Sequence, residues 1–575
     1  MPRTNLKRED EARQMVLDRL STADNARSDY ATRAVDNEKL YHNYIDESEN
    51  PFFSNISLPW PYIITESYLG KCIQVLAATM PYVHVVEEDD DSRPKAKRVE
   101  RDSNMVLYKQ KWPILSYKTY KEAFIKPCAW ILEKPWGVLD GSEMPLFTLA
   151  NWFHVWPNPT CLSIDDPDFY VIYECFVPKW YINEMYKGNP NYKNLSKIET
   201  YEGMMLSEEE QEIRAFKSLS DIENDKYSEL VQVYYYWSWR DFIVLTNGTN
   251  VIRDDEENFL GKIPLRPIVP IPLHDEFYGM SILEQGKQLF AEANENRNQF
   301  NDAAWLMLNP QWIVNRDTAD LKVKTINVKA GNIIWTSDVN AIVPQKQDWN
   351  LLQMCLRRQD VIYQDIMNYS NAFPQFRGQP APGQETATEF LGMRSAGELR
   401  SDTYNLLLAM MGVETLVKDI VDYKKMFMIQ PSQFYYWPEA QTQSATPEDY
   451  QGNFSYKAFA SFKGMQELER KQLIEAMTLV FGAGGAFLPY VMPKADEWLE
   501  RLLDSFPHIR SPEQLKLSEQ DRIRAMVQSV MQQMFSEFQG GQQQPLQLGE
   551  KAMRVPEEEP NAMMGSMLGG MAQQP

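Results

Sequence analysis

The chain has 575 residues, 43% of them hydrophobic and 24% charged, which is too long for one ordinary core and implies two to four structural units. Its 58 Lys and Arg stand against 80 Asp and Glu, a formal net charge of −22. With no long basic run, this balance argues against a protein that grips nucleic acid by neutralising phosphates.

The five cysteines, Cys72, Cys128, Cys161, Cys175 and Cys355, are odd in number and far apart. They point to a reducing compartment and away from a disulfide scaffold. The N-terminal stretch Met-Pro-Arg-Thr-Asn-Leu-Lys-Arg-Glu-Asp has no apolar run behind its charges, so no signal peptide is expected. No run of about 18 apolar residues occurs, so no membrane span is expected.

In chain order, residues 5–50 read as a polar helix with apolar points at Met15, Val16, Leu20 and Leu40. Pro59, Pro61 and Pro81 punctuate the next region. The patch Glu87-Glu88-Asp89-Asp90-Asp91, followed by Arg93, Lys95, Lys97 and Arg98, reads as a solvated turn entering a helix at 95–127. Consecutive carboxylates on such a turn do not converge on a hard cation.

From 129 to 275 the pattern changes to strands. Val231, Val233, Tyr235, Trp237 and Trp239 alternate with Gln232, Tyr234, Tyr236, Ser238 and Arg240, the period of a strand. Asn247-Gly248 signals a hairpin, and Phe169 to Val177 is a second strand. The polar stretch 180–227 between them is expected to be helical.

Pro264, Pro267, Pro270 and Pro272 make 263–273 an extended approach. A helical pattern then runs from Ser281 to Leu308. Its apolar stripe holds Ile282, Gly286, Leu289, Phe290, Ala293, Phe300, Ala304 and Met307. The opposite face is expected to carry the amides Asn294, Asn296, Asn298, Gln299 and Asn301, and Asn309-Pro310 stops the helix.

A β-type module follows at 309–346, with Lys329-Ala330-Gly331-Asn332 as its turn. A second helix is expected over 347–370. Residues 371–387 hold three prolines and two glycines before Glu385, and a loop of this length between helices is often functional. Thr386 and Glu389 form a capping-box pattern. The helix they open reaches toward Met428, about 40 residues or 60 Å, with Gly392, Gly397 and Gly412 as places to bend. Residues 429–460 read as irregular or strand, 461–540 as helical again, and 541–575 as a low-complexity tail expected to be disordered.

Signatures of catalysis are missing from this pattern. The five histidines, His42, His84, His154, His274 and His508, include no pair within a helical turn, so the paired-His zinc motif is absent. There is no Cys-x-x-Cys, no Gly-x-x-x-x-Gly-Lys-Ser/Thr and no Gly-x-Ser-x-Gly. Gly482-Ala483-Gly484-Gly485 lacks the preceding strand of a nucleotide-binding turn. Asp165, Asp166 and Asp168, near Trp152 and Trp156, are the best candidates for a hydrolytic carboxylate pair. Pro157, Pro159 and Pro167 mark that stretch as a surface turn instead. No enzyme activity, cofactor or metal is expected.

The order of helix, small β module, helix, loose loop and very long helix resembles the portal proteins of tailed bacteriophages. The local wording is similar too: Gly279-Met280-Ser281 with Glu284 opens the first helix, and Asn309-Pro310 closes it. Thr386-Ala387-Thr388-Glu389 restarts the chain after the loop. Upstream, Trp156-Pro157-Asn158-Pro159 and Asp166-Pro167-Asp168-Phe169 resemble the β part of a wing. The resemblance covers roughly 60–430.

The resemblance implies an α+β subunit, with N-terminal helices and an α/β wing at 1–280. Stem helices fall at 281–308 and 347–370, a clip at 309–346 and a tunnel loop at 371–387. A long kinked wing helix and wing return occupy 388–460, and an α-helical crown 461–540. It further implies a self-assembled ring, typically of twelve copies, passing double-stranded DNA without tight binding. The ring would sit at one vertex of the virion capsid after assembly in the host cytoplasm. Its implied partners are the terminase large subunit, head-completion, adaptor or tail proteins, and the major capsid and scaffolding proteins.

Gln375, Arg377, Gln379 and Gln384 would face DNA. Lys322, Lys324, Lys329, Asn332 and Trp335 would dock partners, and Asn294, Asn298 and Asn301 would line the stem. An acidic tunnel repels the DNA backbone, so DNA slides instead of sticking. The alternatives are another virion structural protein, or a carbohydrate-active hydrolase with an aromatic cleft.

Overall fold

A long helix laid along an antiparallel sheet organises the N-terminal half. The computed structural model describes residues 5–45, 53–78, 80–89, 91–219, 229–255, 257–308, 312–314, 342–344, 349–370, 402–436 and 441–458, all within one compact unit, Met1–Met492. The fold is α+β, a mixture of helix and sheet. Helix α1, Asn5–Tyr41, is mostly polar. Its buried Val16 and Ala23, seven residues apart, pack on Trp156, Tyr170, Ile172, Tyr236, Ile243, Leu245 and Val251.

These belong to a five-stranded sheet of β4 (Val155–Pro157), β5 (Tyr170–Pro178), β6 (Leu230–Ser238), β7 (Phe242–Thr246) and β8 (Asn250–Asp255), paired in chain order. The Asn247-Gly248 turn joins β7 to β8 with φ of 51° and 65°, a left-handed pair those two residues tolerate best. The alternation expected at 231–240 is present as β6, with both faces covered. Tyr236 faces α1, while Val231, Val233 and Trp237 enter a second core.

One α1 side chain binds the sheet by charge. Arg27 is 4% exposed. Its Nη1 donates to the carbonyls of Trp152, Phe153 and Val155 at 3.2, 2.9 and 3.1 Å, and its guanidinium lies over the rings of Trp152 and Trp156.

A three-stranded sheet carries β2 (Ala129–Leu139) between β3 (Ser142–Ala150) and β9 (Leu265–Ile268). Pro267 sits on the edge strand β9, where a missing N–H is tolerated. Around it lies the largest core, with α2 (Trp60–Leu76), α3 (Arg93–Lys109) and α4 (Trp112–Ile125).

Two expected helices are broken. The one expected at 95–127 divides into α3 and α4 at Lys111, φ 56°, because Pro113 cannot continue a helix and forms the first turn of a new one. The stretch 180–227 holds α5 (Lys179–Tyr186) and α6 (Glu208–Phe216), with Gly188 and Pro190 between them.

After the helix pair described below, helix covers 402–408 and a π-helical turn covers Ala409–Glu414. That turn contains Gly412, one of the expected bends. Helix α9, Thr415–Phe427, continues from it. Residues 429–460, expected as irregular or strand, hold β12 (Ser432–Tyr436) paired with β13 (Gln441–Ala445), and β14 (Phe454–Ala458) paired with β1 (Val83–Glu87). The ranges proposed for the crown and tail, 461–540 and 541–575, lie outside the described residues.

Candidate functional site

The helices expected at 281–308 and 347–370 form an antiparallel pair. Helix α7 spans Lys287–Leu308 and α8 spans Trp349–Ser370. Glu292 accepts from Arg358 at 2.8 Å, Asn296 Nδ2 donates to the Cys355 carbonyl at 3.1 Å, and the Phe290 and Tyr369 rings lie 6.1 Å apart. At the far end of the pair, β10 (Trp312–Val314) and β11 (Ile342–Pro344) form an antiparallel ladder.

The first helix begins six residues later than its pattern suggests. A 3₁₀ turn at Glu284–Gly286 precedes it. Residues 281–283 are instead tied to the end of α4: Ser281 Oγ and the Ile282 N–H both donate to the Phe124 carbonyl, at 2.8 and 3.1 Å. Glu284 also fixes this base to α1, accepting from Asn37 Nδ2 at 3.1 Å. A Cβ at Gly286 would lie 2.7 Å from the rings of Phe290 and Tyr369. Gly286→Ala is therefore expected to lower stability by about 1–3 kcal/mol through overpacking, read as a lower midpoint in urea unfolding; an unchanged midpoint would show that the two rings yield freely.

The amides expected to share one face of the first helix are split between two sides. Residues two apart on a helix lie about 200° apart around its axis, so Asn294, Asn296 and Asn298 do not share one side. Asn296, 2% exposed, faces α8. Asn294 and Asn298 face away from it and hold residues 53–58 of the same chain. The Leu58 N–H donates to Asn294 Oδ1 at 2.8 Å, and the Ile56 N–H to Asn298 Oδ1 at 2.9 Å. The N–H groups of Phe53 and Ser54 donate to the two oxygens of Asp302, each at 2.9 Å. Asn301 is half-buried. No sequence pattern marked 53–58 or Asp302 as partners, since about 240 residues separate them.

The ladder β10–β11 belongs to the module at 309–346, but Lys322, Lys324, Lys329, Asn332 and Trp335 lie outside the described residues, as do Gln375, Arg377, Gln379 and Gln384. The candidate hydrolytic carboxylates lie on a turn at 162–168. Asp166 Oδ2 accepts from the N–H groups of Leu162 and Ser163 at 2.9 and 3.0 Å, and Asp165 and Asp168 are exposed. Asp166 is thus occupied in closing its own turn. In the charged patch, Asp89 likewise accepts from the Ser92 N–H at 2.8 Å and Arg93 pairs with Glu87. Among the described residues, no group of three or more His, Cys, Asp or Glu side chains is arranged to hold a metal, and no helix is long and apolar enough to cross a membrane.

Perturbed titratable groups are numerous, but they fasten elements together. His154 is held between Glu174 on β5, at 2.7 Å, and Glu210 on α6, at 2.9 Å. Burial alone would lower its pKa, but the two carboxylates outweigh that and raise it to about 9. Glu133 and Asp419 lie close together in the core with Arg266, Lys262 and Tyr423. Burial and the neighbouring Asp419 push Glu133 well up. Burial acts on Asp419 in the same sense, but Arg266 and Lys262 outweigh it and lower its pKa. The cluster locks α9 to β2 and β9.

Compared with known proteins, the chain matches no family model and no curated sequence.

Proposed function

We propose that this chain is the portal subunit of a tailed bacteriophage, a non-enzymatic ring component through which DNA is packaged and ejected. The reading is supported chiefly by the antiparallel pair α7 and α8 with the β10–β11 ladder at its far end, in the chain order helix, β module, helix, long helix. In this reading the pair is the stem and 309–346 is the clip that meets the terminase and later the adaptor or tail proteins. The π-turned helix before α9 belongs to the wing. A net charge of −22 per copy, repeated around a ring, repels phosphate and lets DNA slide. The ring stands at one capsid vertex, in contact with capsid and scaffolding proteins.

Electron microscopy and native mass spectrometry of the purified chain test this. The expected result is a closed ring of identical subunits with an axial channel and no DNA retained at physiological salt. A chain that stays monomeric at high concentration, alone and with scaffolding protein, would overturn it. An aromatic-cleft hydrolase gains nothing from the 162–168 turn, whose best carboxylate is already bonded to the backbone.

A further inference from the structure

The charges buried beneath α9 do not balance. Glu133 stands on β2 and Asp419 on α9, and both are buried. Two cations face them, Arg266 from β9 and Lys262 from the segment before it. Asp422, half-buried and nearly one turn along α9, also draws on Lys262 at 3.5 Å. Three carboxyl groups therefore meet two positive charges. Among the described residues, the other titratable groups around the pair are the phenols of Tyr423 on α9 and Tyr456 on β14. From β3, the uncharged Phe147 lies opposite Glu133.

The hydrogen bonds are shared out just as unevenly. Asp419 takes every cationic donor. Lys262 Nζ and Arg266 Nη2 donate to Oδ1 at 2.7 and 3.0 Å, and Arg266 Nε to Oδ2 at 2.9 Å. Glu133 receives one neutral donor, the Tyr423 hydroxyl, at 2.6 Å on Oε2. Its Oε1 is buried and has no hydrogen-bond partner. Arg266 Nε lies 3.5 Å from Oε1, but its single N–H is committed to Asp419. A buried carboxylate oxygen without a donor is strongly disfavoured. Arg266 Nε stands between Asp419 Oδ2 and Glu133 Oε1, and the two carboxyl groups are hydrogen-bond neighbours.

We propose that Glu133 is a neutral carboxylic acid in the folded chain, that its Oε1 shares the proton with Asp419, and that this proton is a pH-operated catch between α9 and the β2–β9 sheet. One proton answers both observations. It leaves two carboxylates against two cations, and it gives Oε1 a hydrogen bond to make. Its loss sets two buried carboxylates side by side, which repel. Burial and Asp419 raise the Glu133 pKa well above its ordinary 4.5, so the folded chain keeps a proton that the unfolded chain has lost. A group shifted this way favours folding fully below pH 4.5 and loses that contribution as pH rises through the folded value. The proposal is independent of the portal reading.

Glu133→Gln tests it on the full chain. The amide keeps an acceptor for Tyr423 and offers an N–H to Asp419, but it does not titrate. Wild type and Glu133→Gln both retain His154, so its contribution cancels between them. Both are unfolded in urea from pH 5 to pH 7. The unfolding constant of wild type is expected to rise relative to that of the variant by about tenfold per pH unit, about a hundredfold in all, because one proton separates the folded and unfolded chains. Infrared spectra of the folded proteins at pH 7, where ordinary carboxyls are ionised, give a second reading. Wild type is expected to show the carbonyl stretch of a protonated carboxyl, and Glu133→Gln to lack it. When higher pH removes that stretch, the α9 amides of wild type are expected to lose protection from hydrogen exchange, corrected for the pH dependence of chemical exchange, while those of the variant hold. Parallel unfolding curves would overturn the shared proton. So would a wild-type spectrum without a protonated carboxyl, which decides the point even if the variant does not fold. Unchanged α9 protection after the stretch is lost would overturn the catch.

Discussion

Replacing Lys424 by Met is expected to lower stability by about 3–5 kcal/mol, the cost of leaving a buried charge without its partner. Lys424 is 1% exposed and Asp102, its partner, 2%. The ammonium donates to Asp102 Oδ2, and so does the Tyr450 hydroxyl; Ser432 Oγ donates to Oδ1 at 3.3 Å. One carboxylate on α3 therefore gathers α9, the start of β12 and the 449–451 turn. Without Lys424 the carboxylate keeps two hydroxyl donors but has no counter-charge. The double variant Asp102→Asn with Lys424→Met is expected to recover part of the loss, because no uncompensated charge remains. Urea unfolding followed by tryptophan fluorescence reads both variants. A single variant as stable as wild type, or a double variant worse than the sum of its parts, would refute this account of the cluster.

The second large effect is a pH dependence centred on His154. Its side chain is 11% exposed, and Glu174 and Glu210 flank its two nitrogens. Asn151 Nδ2 and the Ser207 N–H also donate to Glu210, so the contact joins β5, the turn before β4 and the capping box of α6. The folded pKa is raised from 6.5 to about 9. A group raised in this way stabilises the fold fully below its unfolded pKa, and that contribution disappears as pH rises through the folded value. The shift corresponds to about 3 kcal/mol, present below pH 6.5 and lost by roughly pH 9. Wild type is expected to weaken over this window, while His154→Gln is less stable at pH 6 and loses less across it. The comparison is made by unfolding both proteins at pH 6, 7, 8 and 9. Parallel curves would show that folding leaves the His154 pKa unshifted and would refute the clamp.

Both clusters mark where the sequence ceased to be legible. Residues 102, 424 and 450 are scattered over more than 300 positions, and a lysine beside an aspartate across that distance has no local signature. The capping box Ser207 to Glu210 is visible as a pattern and is formed, but nothing local says that Glu210 also reaches His154. The prolines show the opposite case. Pro113 is plainly legible, and a helix carried through it from 95 to 127 ignored the strongest local signal available.

What the sequence by itself determined was local and periodic. The alternation in β6 and the Asn247-Gly248 turn are properties of neighbouring residues. Backbone geometry forces them into view wherever they occur. Tertiary structure alone decided what each face meets. The amides of α7 had a legible spacing, but whether they would meet water, a neighbour or their own chain depended on a segment about 240 residues earlier. A buried amide needs a hydrogen-bond partner and is indifferent to where in the chain that partner lies.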